Sequence, residues 1–328
     1  MSLYSYKVAL HRFQVCLPDF LQAETIIPSF SPFQCEKEGN VVLSGSPFQC
    51  EKEGNVVLSG SPFQCEKEGN VLFRMEVCLG VACDVSDLDE IGQFDCGGAV
   101  HGVYQLQDGG YLFSISLPGE NAPLACQMQA NADFSICRAT LTGDSLSSQR
   151  FGLNNALMMA YAFAAAPLDT LLIHASVIRH AGYGYLFTAP SGTGKSTHTH
   201  LWYKHIPGCD LMNDDNPVVR IVDGQTRIYG SPWSGKTPCY RNIWAPVGAI
   251  TRIEQKPENT IRRMQPIEAF ATLLPAVSSM KWDRRVYVSI CDTISRLLQI
   301  TPVFWLGCRP DEEAARVCFE AVAVRGKD

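Results

Sequence analysis

Between Tyr183 and Lys204 the chain reads YGYLFTAPSGTGKSTHTHLWYK, and no other stretch narrows its fold so far. An apolar β-type run, Tyr183 to Phe187, leads into Ala189-Pro-Ser-Gly-Thr-Gly-Lys195-Ser196-Thr197, and a helix-compatible run from Lys195 to Lys204 leads out. Strand, glycine-rich loop and helix is the setting that a phosphate-binding loop requires. In it, backbone N–H groups and the helix N-terminus form an anion cradle. The sequence therefore assigns Ser191, Gly192, Thr193, Gly194, Lys195, Ser196 and Thr197 to nucleotide binding. Lys195 supplies a fixed positive charge, and the Ser196 hydroxyl is a Mg²⁺ ligand candidate.

A strict search for G-x-x-x-x-G-K-[ST] misses this loop, because its first position is Ala189. It finds Gly230-Ser-Pro-Trp-Ser-Gly-Lys236-Thr237 instead. Context separates the two. Helix-compatible sequence follows Lys195, whereas Pro238 and Pro246 follow Lys236 with no helical periodicity, and Pro232 and Trp233 make a poor close-fitting cradle. The second segment, 230–241, is read as a loop over the site whose Ser234, Lys236, Thr237 and Arg241 face phosphate or substrate. The competing reading is a solvated turn.

Asn213-Asp214-Asp215-Asn216 follows a short apolar segment, with Asp214 18 residues after Ser196. Alone, an Asx-rich tetrapeptide is a turn signal. Beside a phosphate loop, one acid can hold Mg²⁺ and the other can take the proton of an attacking hydroxyl. Asp214 and Asp215 are therefore candidate metal ligands and catalytic groups, with the division between them open. His174, inside an apolar strand read at 171–178, is either a structural residue or a contact for phosphate or the acid pair. His198, His200 and His205 are read as surface or packing residues, not a zinc site.

The rest of the chain frames this region. Residues 1–150 hold eight Lys+Arg against eighteen Asp+Glu, and residues 151–328 hold nineteen against fifteen. The acidic first half argues against a nucleic-acid surface there, and the mildly basic second half suits phosphorylated ligands. No apolar run approaches the ~20 residues of a membrane span, and the opening MSLYSYKVALHRF lacks the apolar core of a secretory signal. A cytoplasmic protein with reduced cysteines is expected, with no membrane or nucleic-acid partner and with self-assembly left open.

SPFQCEKEGNVVLSG stands at 31–45, again at 46–60, and restarts at Ser61. This 15-residue tandem repeat, 31–71, reads as a recent duplication carried as a surface insertion, each copy a hairpin arm on a strand through Phe33, Cys35 and Lys37. Short alternating segments to about Leu141 predict a smaller β-rich domain over 1–145, in which His101 is a surface or turn residue. A helix over 148–165 is expected to pack on the sheet that starts at Leu171. Further strands are predicted at 183–188, 217–222, 226–230, 247–253 and 302–306. Helices are predicted at 266–275, 281–298 and 310–323. Together they make residues 146–328 a mixed α/β domain.

The strand LLIHASVI with its histidine, the strand YGYLFTA, the loop SGTGKST and the close-following LMNDD together resemble the catalytic domain of the HPr kinase/phosphorylase family. That family is related to the ATP-type phosphoenolpyruvate carboxykinases. The resemblance covers roughly 165–255. It implies a P-loop kinase-like mixed-sheet domain in which Lys195 and Ser196 bind ATP and Mg²⁺, His174 lies near the phosphates, and Asp214 and Asp215 supply a metal contact and the base. It implies an ATP-dependent kinase. The region where the family docks its carrier protein reads GSPWSGKTPCYRN here, so the hydroxyl acceptor is open between a peptide or protein serine and a small molecule. Two other functions fit the same residues: a nucleotide-dependent adaptor without transfer, and a carboxykinase-like enzyme acting on a small phosphorylated acid.

Overall fold

The computed structural model describes residues 1–35, 49–50, 56–57, 71–95, 98–235 and 237–324. The chain divides into two compact units of equal length, Met1–Ala164 and Ala165–Asp328, so the first is not the smaller. Each is built on a mixed sheet. No helix among the described residues is long and apolar enough to cross a membrane.

The first unit runs β1 (Ser2–Val8), β2 (His11–Leu17), α1 (Ala23–Ile26), β3 (Gln49–Cys50), β4 (Val56–Val57), β5 (Val71–Leu79), β6 (Glu90–Asp95), β7 (Val100–Gln105), β8 (Tyr111–Ser116), β9 (Leu124–Ala130), β10 (Ile136–Leu141) and α2 (Leu146–Ala165). Its sheet has the order β1-β2-β5-β10-β9-β8-β7-β6, with β5 parallel to both of its neighbours. The strand expected through Phe33 is instead a 3-10 helix, Pro28–Phe33, which buries Phe33. Two prolines, Pro28 and Pro32, in the segment PSFSPF favour such a turn over a ladder. β3 pairs antiparallel with β4, the hairpin expected of a repeat copy, and the rest of 36–70 lies outside the described residues. His101 is fully buried in β7, not at the surface, with Phe151 edge-on at 6.3 Å.

The helix α2 packs on this first sheet rather than on the sheet near Leu171. Phe163 lies 5.4 Å from Phe134 and 5.7 Å from Phe94, and Tyr161 Oη donates to Val8 O at 3.2 Å. The approach is close at Gly152, where an added Cβ would stand 2.6 Å from Cys126 Cβ and 2.9 Å from Ala125 O. Alanine in an open helix gains about 1 kcal/mol over glycine, but overpacking costs about 1–3 kcal/mol. Gly152→Ala is therefore expected to lower the urea midpoint, and a midpoint equal to wild type or higher would contradict this packing.

The second unit runs β11 (Thr170–Leu172), β12 (Ala175–His180), β13 (Tyr183–Thr188), α3 (Lys195–His205), β14 (Asp210–Asp215), β15 (Val218–Val222), β16 (Gln225–Tyr229), β17 (Trp244–Gln255), β18 (Thr260–Arg263), α4 (Pro266–Leu273), α5 (Arg284–Ile300), β19 (Val303–Cys308) and α6 (Glu312–Val322). The sheet order is β11-β15-β16-β17-β13-β12-β14, with β19 added on β17 and β18 on β19. β13, β17 and β19 are parallel to one another, and β12 and β14 extend the sheet antiparallel. Pro266 opens α4 at a position where its missing N–H costs nothing. Asp283 and Asp311 cap α5 and α6, accepting from Val286 N and Ala314 N at 3.0 Å. On α5 the buried residues Val286, Ile290, Thr293, Ile294 and Leu297 recur at helical spacing.

The core behind α3 holds Tyr185, Phe187, Trp202, Leu306 and Cys318. His198 is part of it, only 2% exposed and 4.7 Å from Phe187, and accepts from the Trp202 indole at 3.2 Å through Nε2. Burial pushes its pKa down to about 4. Unfolded His198 takes a proton near pH 6.5 that the folded ring refuses. The stability this contributes is complete above pH 6.5 and is lost as pH falls toward 4, a swing of about 3 kcal/mol. Unfolding measured from pH 7 to 4 should show that slope, and His198→Phe should flatten it.

Candidate active site

Strand register brings the candidate residues to one end of the second sheet. Ala175, the first residue of β12, stands opposite Thr188 at the end of β13 and opposite Asp215 at the end of β14. Three chain positions thus converge: His174 before β12, the glycine-rich loop after β13, and the acid pair closing β14. His174 is not inside a strand, as the continuous apolar run 171–178 suggested. It sits in a break between β11 and β12, where its N–H donates to Ala276 O at 2.7 Å and Ile173 pairs with Val277. The apolar pattern runs through the break because the flanking residues on both sides are buried.

The loop 189–194 is shaped by glycine. Gly192 has φ +76° and Gly194, the residue before α3, has φ +112°, conformations that side chains resist. Thr193 N closes a turn on Pro190 O at 3.2 Å. Ser191 and Gly192 are exposed, Thr193 and Gly194 half-buried, and Ser196 and Thr197 exposed on the first turn of α3. Lys195 is 8% exposed, and its Nζ donates to Ala189 O at 3.1 Å, across its own loop. Ser196 Oγ donates to Asp214 Oδ1 at 2.8 Å. His174 Nε2 lies 3.3 Å from Asp215 Oδ1, and Asn216 Nδ2 donates to Asp215 Oδ2 at 2.7 Å.

These neighbours separate the two acids. Asp214 is 4% exposed and meets a hydroxyl, whereas Asp215 is half-buried and meets an imidazole. Burial raises the proton affinity of Asp215, and nearby Asp214 adds to the rise, against the opposing pull of His174 and Lys195. Burial, reinforced by Lys195, lowers the pKa of His174. The Lys195 ammonium is likewise disfavoured by burial and by Arg252, and Asp215 and Asp214 oppose this. Asp215 also has φ +132°, a backbone state that costs a non-glycine residue about 1–3 kcal/mol and persists only under firm constraint. Here the constraint is pairing on both sides, with Ala175 and with Ser234.

The second loop does lie on the acid pair, and only in part as expected. Ser234 Oγ is 3.0 Å from Asp214 O, and Gly235 N donates to the same carbonyl at 2.5 Å. Ser231 Oγ holds the loop from beneath, donating to Asn216 O at 2.6 Å, beside a buried Trp233. Lys236 lies outside the described residues. Thr237 is exposed, and its carbonyl lies 2.5 Å from Ser234 Oγ. Arg241 is not at the acid pair. It binds Asp210 Oδ2 at 2.7 Å, at the opposite end of β14, where Arg179 meets the same carboxylate at 2.9 Å. Its charge is spent on holding the loop's return, an assignment local sequence cannot make because Asp210 is thirty-one positions away.

Two residues without a sequence signal also reach the loop. Arg252 on β17 stands opposite Thr188, and Gln255 Nε2 donates to Thr193 O at 3.2 Å. Both follow from the parallel β13–β17 pairing. His200 is exposed, and His205 Nδ1 lies 3.3 Å from Glu312 Oε2, apart from the site.

No family model matches the chain, and no curated protein matches it. Among solved structures, the Hpr(Ser) kinase/phosphatase from Coxiella burnetii is similar with a TM-score of 0.29 and 11% identity, over 46% of this chain and 95% of that one. At that TM-score the likeness says nothing about this chain's activity.

Proposed function

We propose that the second unit is an ATP- and Mg²⁺-dependent kinase that transfers the γ-phosphoryl group to a hydroxyl, a serine of a peptide or protein. The observation that carries this reading is the convergence of Lys195, Ser196, Asp214 and Asp215 at one sheet end, with the acids in unlike environments. A binding switch needs the first two. Two adjacent carboxylates, one against a hydroxyl and the other against an imidazole, are what a metal-assisted proton removal needs.

Lys195 and the loop amides hold the phosphates. The Ser196 and Asp214 oxygens, 2.8 Å apart, are the hard donors that Mg²⁺ prefers. Among the described residues no cluster of three His, Cys, Asp or Glu forms a metal cage, and Mg²⁺ completes its shell with waters and substrate phosphates rather than protein ligands alone. When bound, Mg²⁺ offsets negative charge on the phosphate oxygens. Asp215 takes the acceptor hydroxyl's proton; its raised proton affinity makes it a stronger base than a solvated carboxylate. His174, whose proton affinity burial lowers, positions that carboxylate.

The test is calorimetric titration of the chain with ATP, with and without Mg²⁺, followed by γ-labelled ATP with candidate serine peptides and cell extract. Mg²⁺-enhanced binding and label in an acceptor are expected. Tight ATP binding with label passed to nothing would overturn the reading in favour of an adaptor.

A further inference from the structure

We propose that Ser234 is itself a phosphoryl acceptor, modified in cis by this site. The inference rests on the kinase reading and adds to it a modification site on the chain. Ser234 forms an antiparallel bridge with Asp215. Residues directly opposite in such a pair put their side chains on the same face, with Cβ atoms about 4.5–5.5 Å apart. The bridge thus sets Ser234 beside the candidate base, whose carboxylate meets His174 and Asn216, and the Ser234 hydroxyl lies 3.0 Å from the Asp214 carbonyl. The approach is tight, since a Cβ added to Gly235 would stand 3.1 Å from Asp215 Cβ. Any larger residue after Ser234 would push the loop off the acid pair.

The hydroxyl is presented in a reactive sense. Its two neighbours, Asp214 O at 3.0 Å and Thr237 O at 2.5 Å, are both carbonyls. It is the donor in either contact, so its oxygen lone pairs are uncommitted. The nearby serines differ. Ser231 is fully buried and accepts from Trp233 N, and Ser196 is engaged by Asp214. The segment is held in place from both ends, by Ser231 on Asn216 and by Arg241 on Asp210.

The step balances without a further reactant. Ser234 Oγ bonds to the γ-phosphorus of ATP. The bond from that phosphorus to the β,γ-bridging oxygen breaks, and ADP leaves with the electron pair. The hydroxyl proton passes to the Asp215 carboxylate. The products are ADP and phosphoserine at 234.

The experiment uses the full chain, first treated with phosphatase and repurified. It is incubated with Mg²⁺ and γ-labelled ATP without added acceptor, and peptides are mapped by mass spectrometry. Label on Ser234, at a rate per chain independent of protein concentration, is expected. Ser234→Ala should remove it, and Ser234→Thr should move the label to the new hydroxyl. Mapping on the unaltered chain keeps the result decisive if a variant misfolds. A chain that binds Mg·ATP and labels an added acceptor but not Ser234 overturns this proposal and leaves the kinase reading standing. A rate that rises with protein concentration also overturns it. Absence of Mg·ATP binding overturns both.

Discussion

Lys195→Ala is expected to lower Mg²⁺-dependent ATP turnover by about 10³-fold, the scale of losing one preorganised charge partner at a reacting group. The ammonium is nearly buried, close to both acids, and anchored on Ala189 O within its own loop. Without it, an anionic triphosphate would enter beside Asp214 and Asp215 with one cation fewer, so ATP affinity should fall as well. The fold should survive, because the side chain's one direct hydrogen bond is worth about 1 kcal/mol. Lys195→Arg keeps the charge and should still be impaired, since a planar fork does not fit where a point charge rests. The check is ADP release with Mg²⁺ together with calorimetric ATP binding. A variant that binds and turns over ATP within a factor of ten of wild type would remove the 189–196 loop from phosphate binding. The twin segment at 230–237 would then be the next place to look.

Asp215→Asn is expected to lower phosphoryl transfer by about 10²–10⁴-fold, the usual contribution of a general base, with ATP affinity little changed. Asp214→Asn should differ in kind, raising the Mg²⁺ concentration needed, because Asp214 is the acid beside Ser196. The same Asp215 substitution should leave stability at neutral pH unchanged or higher. Folding raises the pKa of Asp215, so what it contributes to stability is present at low pH and is lost as pH rises through the folded value. Above the folded value the carboxylate is ionised against that gradient, and a neutral isostere removes the cost. Thermal melts beside single-turnover transfer would report both effects. A variant that transfers at the wild-type rate would exclude Asp215 as the base. One that loses transfer only through lost stability would make its role structural.

Local signals carried far into this structure. The β13–loop–α3 unit stands where Tyr183 to Lys204 placed it, because strand alternation, glycines at positive φ and a helical run are all short-range chemistry. The helices α5 and α6, predicted at 281–298 and 310–323, were legible for the same reason. Legibility ended wherever a partner was distant. An apolar face on α2 says that it will be buried, not on which sheet. The polar loop 230–241 announces exposure and charge, not that Arg241 closes on Asp210 while Ser234 closes on Asp215.

By itself the sequence determined which chemical groups the chain owns and their local presentation: a lysine and hydroxyl after a glycine-rich turn, and two adjacent acids after a short apolar segment. The tertiary structure decided which groups meet. Strand order places β12 between β13 and β14, and register sets Ala175 opposite both Thr188 and Asp215. Those two facts put His174, Lys195 and the acids at one sheet end. They also gave Asp214 a hydroxyl neighbour and Asp215 an imidazole, a difference in burial and charge that two adjacent aspartates cannot show as letters. Pairing between strands is set by the burial of whole faces and by hydrogen bonds between distant segments, and neither is written in any one stretch of residues.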